Sequence, residues 1–128
     1  MKQEIQQRAR ELGFDDCRVT TANPPDNAAT FQRWLAARYH GEMGYLERNA
    51  YKRIDPDKVL SGARSIVTLA ASYHRADQNT GPVARYARFS DYHDALAGSL
   101  KALSEFITRL GGESARSLWY VDTGPLLE

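Results

Sequence analysis

Cysteine occurs once in this chain of 128 residues, as Cys17. That excludes an internal disulfide, and it excludes an all-cysteine zinc site or an iron-sulfur cluster held by this polypeptide alone. A reducing, cytoplasmic setting fits such sparing use of cysteine. No apolar run reaches the roughly 18 residues that a membrane span requires, and Met1-Lys2-Gln3-Glu4-Ile5-Gln6-Gln7-Arg8 lacks the apolar core of a signal peptide. The expectation is a soluble intracellular protein with no membrane partner. An excess of one charge is missing too: the formal net charge is +1, so no global field draws in nucleic acid. There is no G-x-G-x-x-G and no Walker loop, which leaves a dinucleotide or triphosphate site without support. His40, His74 and His93 are scattered, none lying four residues from another on a helix, so no metal site is expected.

What remains is an ordinary globular composition, 42% hydrophobic and 26% charged, of a length that fits one domain. Thirteen of the seventeen basic residues are arginine, the side chain suited to bidentate contacts with phosphate or carboxylate.

Ile5, Ala9 and Leu12 recur at helical spacing, and Gly13 stands where a left-handed cap ends a helix. Phe14 to Thr20 reads as a short strand with Cys17 and Val19 on one face, Cys17 being a small core residue rather than a reactive thiol. After the turn Asn23-Pro24-Pro25-Asp26, the spacing of Ala28, Phe31, Trp34, Leu35 and Arg38 predicts a helix closed by His40-Gly41. His40 then serves as a cation at the helix carboxyl end. Gly41 to Arg48 suits a single helical turn, and Asp55 caps a short helix carrying Val59 and Leu60.

Ser65 to Tyr73 is a nearly continuous apolar run, expected as a central strand covered on both faces. A polar loop from Asp77 to Gly81 follows, and Ser90 or Asp91 then offers an N-cap to the clearest helical stripe, Tyr92, Leu96, Leu100, Leu103, Ile107 and Leu110, which Gly111-Gly112 ends. His93, at the start of that helix, is better neutral than positive against the helix dipole. Ser117 to Val121 reads as a third, buried strand, ending in the turn Asp122-Thr123-Gly124-Pro125. The expected fold is α/β, or layered α+β, with helices packed on a small sheet in a single domain over 1–128. Three strands make a thin sheet, which points to an incomplete fold or one completed by a partner.

Ligands in α/β sheets gather outside the carboxyl ends of strands, which makes Asp122 the candidate catalytic acid. Asp122-Thr123-Gly124 resembles the signature of aspartic proteases, and a homodimer could pair two such carboxylates. The helical content disagrees with an all-β protease. Arg85 and Arg88, alternating with Tyr86 and Phe89, could grip a phosphate-bearing or amide-rich ligand between cations and rings; a solvated loop with snorkelling arginines is the other reading.

Six segments in order give a more specific resemblance: His40-Gly41-Glu42-Met43-Gly44-Tyr45-Leu46, Arg53-Ile54-Asp55-Pro56, Gly62-Ala63-Arg64-Ser65, Arg85-Tyr86-Ala87-Arg88, Asp91-Tyr92-His93 and Asp122-Thr123-Gly124-Pro125. Together they resemble the amino-terminal region of epoxyqueuosine reductases, cobalamin-dependent iron-sulfur oxidoreductases related to reductive dehalogenases. The resemblance implies reduction of epoxyqueuosine to queuosine in tRNA. It implies Asp122 as proton donor to the epoxide oxygen, and Arg53, Tyr86, Arg88, Asp91, Tyr92 and His93 near the cobalamin. An acid in that role is protonated near neutral pH only if burial against an apolar face raises its pKa. The chain departs from the pattern at Phe89-Ser90, where the family has glycine and a polar or basic residue.

The resemblance also implies a ferredoxin-like region with 4Fe-4S clusters beyond Pro125, absent from this chain. The expectation is therefore an amino-terminal fragment, inactive alone and prone to self-association through the surface left by the missing domain. The alternative within the same descent is a non-catalytic module that binds a corrinoid or a partner protein.

Overall fold

The computed structural model describes residues 1–72, 92–121 and 124–127, except for the side chains of Tyr92, His93 and Ala95. The elements are α1 (Lys2–Glu11), β1 (Asp16–Thr21), α2 (Ala28–Ala36), α3 (Gly44–Arg48), α4 (Ala50–Arg53), a 3₁₀ turn (Pro56–Lys58), β2 (Ser65–Ala70) and α5 (Tyr92–Gly111). β1 and β2 form a two-stranded sheet. Its antiparallel register is fixed at the two ends, where the amide of Asp15 donates to the carbonyl of Ala70 at 2.8 Å and that of Ala22 to Arg64 at 3.0 Å. The architecture is thus the expected mixture of helices with a small sheet.

The chain divides into two compact units, Met1–Val19 with Val67–Asp122, and Thr20–Ile66 with Thr123–Glu128. The first holds the hydrophobic core: Ile5, Ala9, Phe14, Cys17, Leu100 and Leu103 are buried, with Leu12, Val67, Leu69, Leu96, Phe106, Ile107, Leu110 and Val121 packed around them. The apolar faces of α1 and α5 supply most of these residues, and the two helices pack together. Their contact carries one directed bond, from the hydroxyl of Ser99 to the carbonyl of Leu12.

α1 stops as its sequence predicts. Gly13 takes φ 98°, its amide returns to the carbonyl of Arg10, and the amide of Phe14 returns to Ala9. This closure turns Phe14 back into the core. α2 ends by the same pair of bonds, from Arg38 to Leu35 and from Tyr39 to Trp34, yet its left-handed residue is Arg38, at φ 64°. The helix therefore closes at Ala36, short of His40-Gly41, and His40 lies beyond the reach of a helix-terminal cation. Asp55 caps as expected, its carboxylate accepting from the amide of Asp57, although the turn it starts is 3₁₀ and ends at Lys58.

Two strand expectations change. Among the described residues β2 is one of two strands, and its Ser65, Thr68 and Ala70 are exposed, so it is not covered on both faces. Residues 117–121 form no strand. Ser117 instead turns its hydroxyl to α5, meeting the hydroxyls of Ser104 and Thr108 and the carbonyl of Ser104. Leu118 and Trp119 are left exposed, at 56% and 39%. The apolar composition of that stretch imitates a buried strand, but its polar flank finds a helix to bond before any strand edge.

Cys17 is a core residue, 6% exposed. Burial, and after it the neighbouring Asp16 carboxylate, push its thiol above the ordinary value. Asp16 itself is held low, first by the Arg18 guanidinium and then by the Cys17 amide. The raised thiol favours the folded state fully below the unfolded thiol's pKa, and that contribution is lost as pH rises through the folded value. Urea denaturation from pH 7 to 10.5 should therefore show stability falling above about pH 8.5, where free thiols ionise, and the slope should flatten in Cys17→Ala. A second expectation concerns Arg38: Arg38→Gly should raise stability by about 1 kcal/mol, since glycine carries no Cβ penalty in the left-handed region. A thermal melt of the two proteins reads that difference directly.

Candidate functional site

Of the residues that the sequence nominates, Arg53 is described in full. Tyr86, Arg88, Asp91 and Asp122 lie outside the described residues, as do the Asp77 to Gly81 loop and the Ser90 or Asp91 cap. Tyr92 and His93 are placed by their backbone alone, as the first two residues of α5.

Arg53 is the last residue of α4, carried there by the short Asn49 to Ile54 segment that precedes the Asp55-Pro56 turn. It is half-buried. Its Nη1 donates to the backbone carbonyl of Leu126 at 3.0 Å, a bond between residues 73 positions apart in sequence. Leu126 sits in a turn of its own, with its amide donating to the carbonyl of Gly124 at 3.0 Å. The second unit thus joins Arg53 to the turn immediately after Asp122-Thr123. The Nε of the same guanidinium is buried and makes no hydrogen bond. A buried, charged donor without an acceptor is costly, and one left open is suited to an acceptor from outside.

Among the described residues of this unit, His40 is the buried polar one, 3% exposed. Its Nε2 stands 3.5 Å from the Glu47 carboxylate on α3, its ring lies 5.9 Å from that of Trp34, and its Nδ1 has no partner. The imidazole therefore closes the loop between α2 and α3 from the inside. Sequence reasoning missed both Glu47 and the Leu126 carbonyl. Glu47 sits seven residues on, a spacing without a motif, and a backbone acceptor has no side-chain signature at all.

Around these residues the surface carries exposed rings and charges of both signs. Tyr39, Tyr45 and Tyr51 are exposed, at 72%, 48% and 54%, in a segment that also carries Arg38, Arg48 and Lys52. The Lys52 ammonium stands 5.8 Å from the centre of the Tyr51 ring. Among the described residues, no group of three histidine, cysteine, aspartate or glutamate side chains could hold a metal ion, and no helix is long and apolar enough to cross a membrane.

Comparison with known proteins gives the family. The family described as "Epoxyqueuosine reductase QueG, DUF1730" matches residues 53–123. That interval starts at Arg53 and takes in every other nominated residue through Asp122. Among curated relatives, the epoxyqueuosine reductase of Leadbetterella byssophila is 36% identical over 98% of this chain and 42% of its own length. That of Gloeobacter violaceus is 37% identical over 98% and 40%, and that of Salmonella typhimurium 33% over 100% and 35%. Among solved structures, a selenomethionine-labelled epoxyqueuosine reductase superposes with a TM-score of 0.75 at 28% identity, covering 98% of this chain and 36% of the other. An epoxyqueuosine reductase with an epoxyqueuosine-modified tRNA-Tyr stem loop gives 0.74 at 28%, over 98% and 35%. A third, from Bacillus subtilis, gives 0.63 at 26%, over 88% and 32%, and has its catalytic aspartate loop swung out of the active site. The chain thus spans roughly two fifths of the length of the curated relatives it matches. With more than half of its 128 residues inside the family match, the chain belongs to the epoxyqueuosine reductase family.

Proposed function

We propose that this chain provides the amino-terminal, acid-bearing and corrin-facing part of an enzyme that reduces epoxyqueuosine to queuosine in tRNA. The observation that carries the reading is the coincidence of the family match, residues 53–123, with the span from Arg53 to Asp122 that holds all the nominated residues.

Asp122 is the proton donor. Opening a strained epoxide leaves an alkoxide, and a carboxylic acid beside the departing oxygen removes that charge as it forms. The family's cobalamin, when bound, supplies electrons to the epoxide carbon. Arg53 suits the edge of such a cofactor, because its buried Nε lacks an acceptor and a corrinoid carries amide and phosphate oxygens. Tyr86, Arg88, Asp91, Tyr92 and His93 are assigned to the same cofactor. The family's 4Fe-4S clusters do not fit this chain: one cysteine cannot ligate a cluster, and no electron-transfer step is assigned to its residues.

The exposed rings and cations of the Arg38 to Lys52 segment support tRNA as the substrate. Unpaired bases stack on exposed tyrosine rings and phosphates seek arginine and lysine, the two features that Tyr39, Tyr45, Tyr51, Arg38, Arg48 and Lys52 offer together.

The test is a chimera in which residues 1–128 replace the matching region of the Salmonella typhimurium relative, assayed for conversion of epoxyqueuosine in a tRNA stem loop. The chimera should turn over, and it should perturb the absorption spectrum of cob(II)alamin. Asp122→Asn should lower kcat by about 10² or more, the scale of a lost general acid, with cob(II)alamin binding retained. A folded, cobalamin-loaded chimera without turnover would overturn the catalytic reading, and an Asp122→Asn chimera as fast as its parent would remove Asp122 from the reaction.

A further inference from the structure

We infer that Arg53 is a positioning residue for the catalytic acid, acting through the backbone that follows Asp122. The inference rests on the reading of Asp122 as the proton donor and adds what holds it. The Arg53 guanidinium is fixed at one end by α4, whose final turn is closed by the amides of Arg53 and Ile54 donating to the carbonyls of Asn49 and Ala50. At its other end Nη1 donates to the carbonyl of Leu126 at 3.0 Å. Leu126 in turn bonds Gly124 at 3.0 Å, and Pro125 between them has a fixed φ. A rigid three-residue turn is therefore tied by one charged hydrogen bond to a helix distant in sequence, and the turn begins two residues after Asp122.

Two further observations favour a clamp over incidental contact. Gly124, Pro125, Leu126 and Leu127 are all at least partly buried, although they lie in no helix or strand, so something other than a backbone ladder retains them. Among the described residues, Arg53 forms no ion pair and its Nε makes no hydrogen bond, so the bond to Leu126 is the directed interaction found there for this half-buried guanidinium. A charge-assisted donor to a carbonyl outweighs a neutral one by about twofold, and it contributes more where water is scarce. Proton transfer to an epoxide oxygen is sensitive to such placement, because a shift of about 1 Å costs about 10² in rate. The aspartate-bearing loop of the Bacillus subtilis relative is found swung out, so loops of this kind have more than one position.

Two measurements test the clamp. In the chain itself, Arg53→Ala should speed hydrogen exchange at the Leu126 amide about fivefold or more, the scale of one lost hydrogen bond. The amides of α1 and α5 should keep their protection, which shows that the protein still folds. In the chimera at saturating cob(II)alamin, Arg53→Ala should lower kcat about 10-fold to 100-fold and leave the KM for the tRNA stem loop unchanged. Arg53→Lys, which retains a charged donor for one carbonyl, should recover most of that loss. Unchanged exchange at Leu126, an unchanged kcat, or a risen KM with kcat intact would each overturn the inference. An inactive parent chimera would instead overturn the proposed function, and the exchange experiment would still decide whether Arg53 holds the turn.

Discussion

The close approach of α1 to α5 is the constraint on which the first unit depends. Ala9 has no exposed surface and Leu103 only 2%, and both belong to the one cluster of buried side chains that the two helices enclose. The core is small, and its buried members come from α1, the turn after it, β1 and α5. Everything else in that unit is hung from this contact: Phe14 enters because α1 ends in a left-handed turn, Cys17 enters because β1 starts directly after it, and Val121 returns to the same core. A wide α1 face would separate the helices and leave β1 without a floor.

The second unit is organised differently, around buried polar groups rather than apolar ones. It has no fully buried large hydrophobic residue among those described, while His40 is almost wholly enclosed and Arg53 carries a buried nitrogen. Short helices of four and five residues cannot present a broad apolar stripe. Directed bonds take over the task, from Arg53 to Leu126 and from His40 toward Glu47. Such interactions fix geometry well, and they leave individual polar atoms open, here His40 Nδ1 and Arg53 Nε.

How much of this was legible beforehand follows the range of each interaction. The stripes Ile5, Ala9 and Leu100, Leu103 are local patterns, and both proved to face the core. Gly13 and Asp55 announce a helix end and a cap through chemistry confined to four or five residues, and both act as read. The six dispersed segments sufficed for the family, which the match over 53–123 establishes. Ser117 to Val121 was misread because apolar composition records a preference for burial and not the partner that supplies it; the hydroxyl of Ser117 found α5 instead. His40 was misplaced because Arg38 closes α2 early in a conformation that arginine seldom adopts. The Arg53 bond to Leu126 joins the first residue of the matched region to a carbonyl just past its last, and no side-chain pattern encodes a carbonyl.

Gly111 carries a consequence of another kind. A methyl group there would stand 2.6 Å from the Cβ of Ala115, closer than two non-bonded carbon atoms approach. The departure of the chain from α5 is thus shaped by a missing atom, with Gly112 then turning at φ 88°. The segment leading toward Asp122 leaves its helix through a gap one carbon wide. Any replacement at position 111 requires Ala115 and the backbone that follows α5 to shift, which makes this glycine the point that sets the direction in which the chain leaves its longest helix.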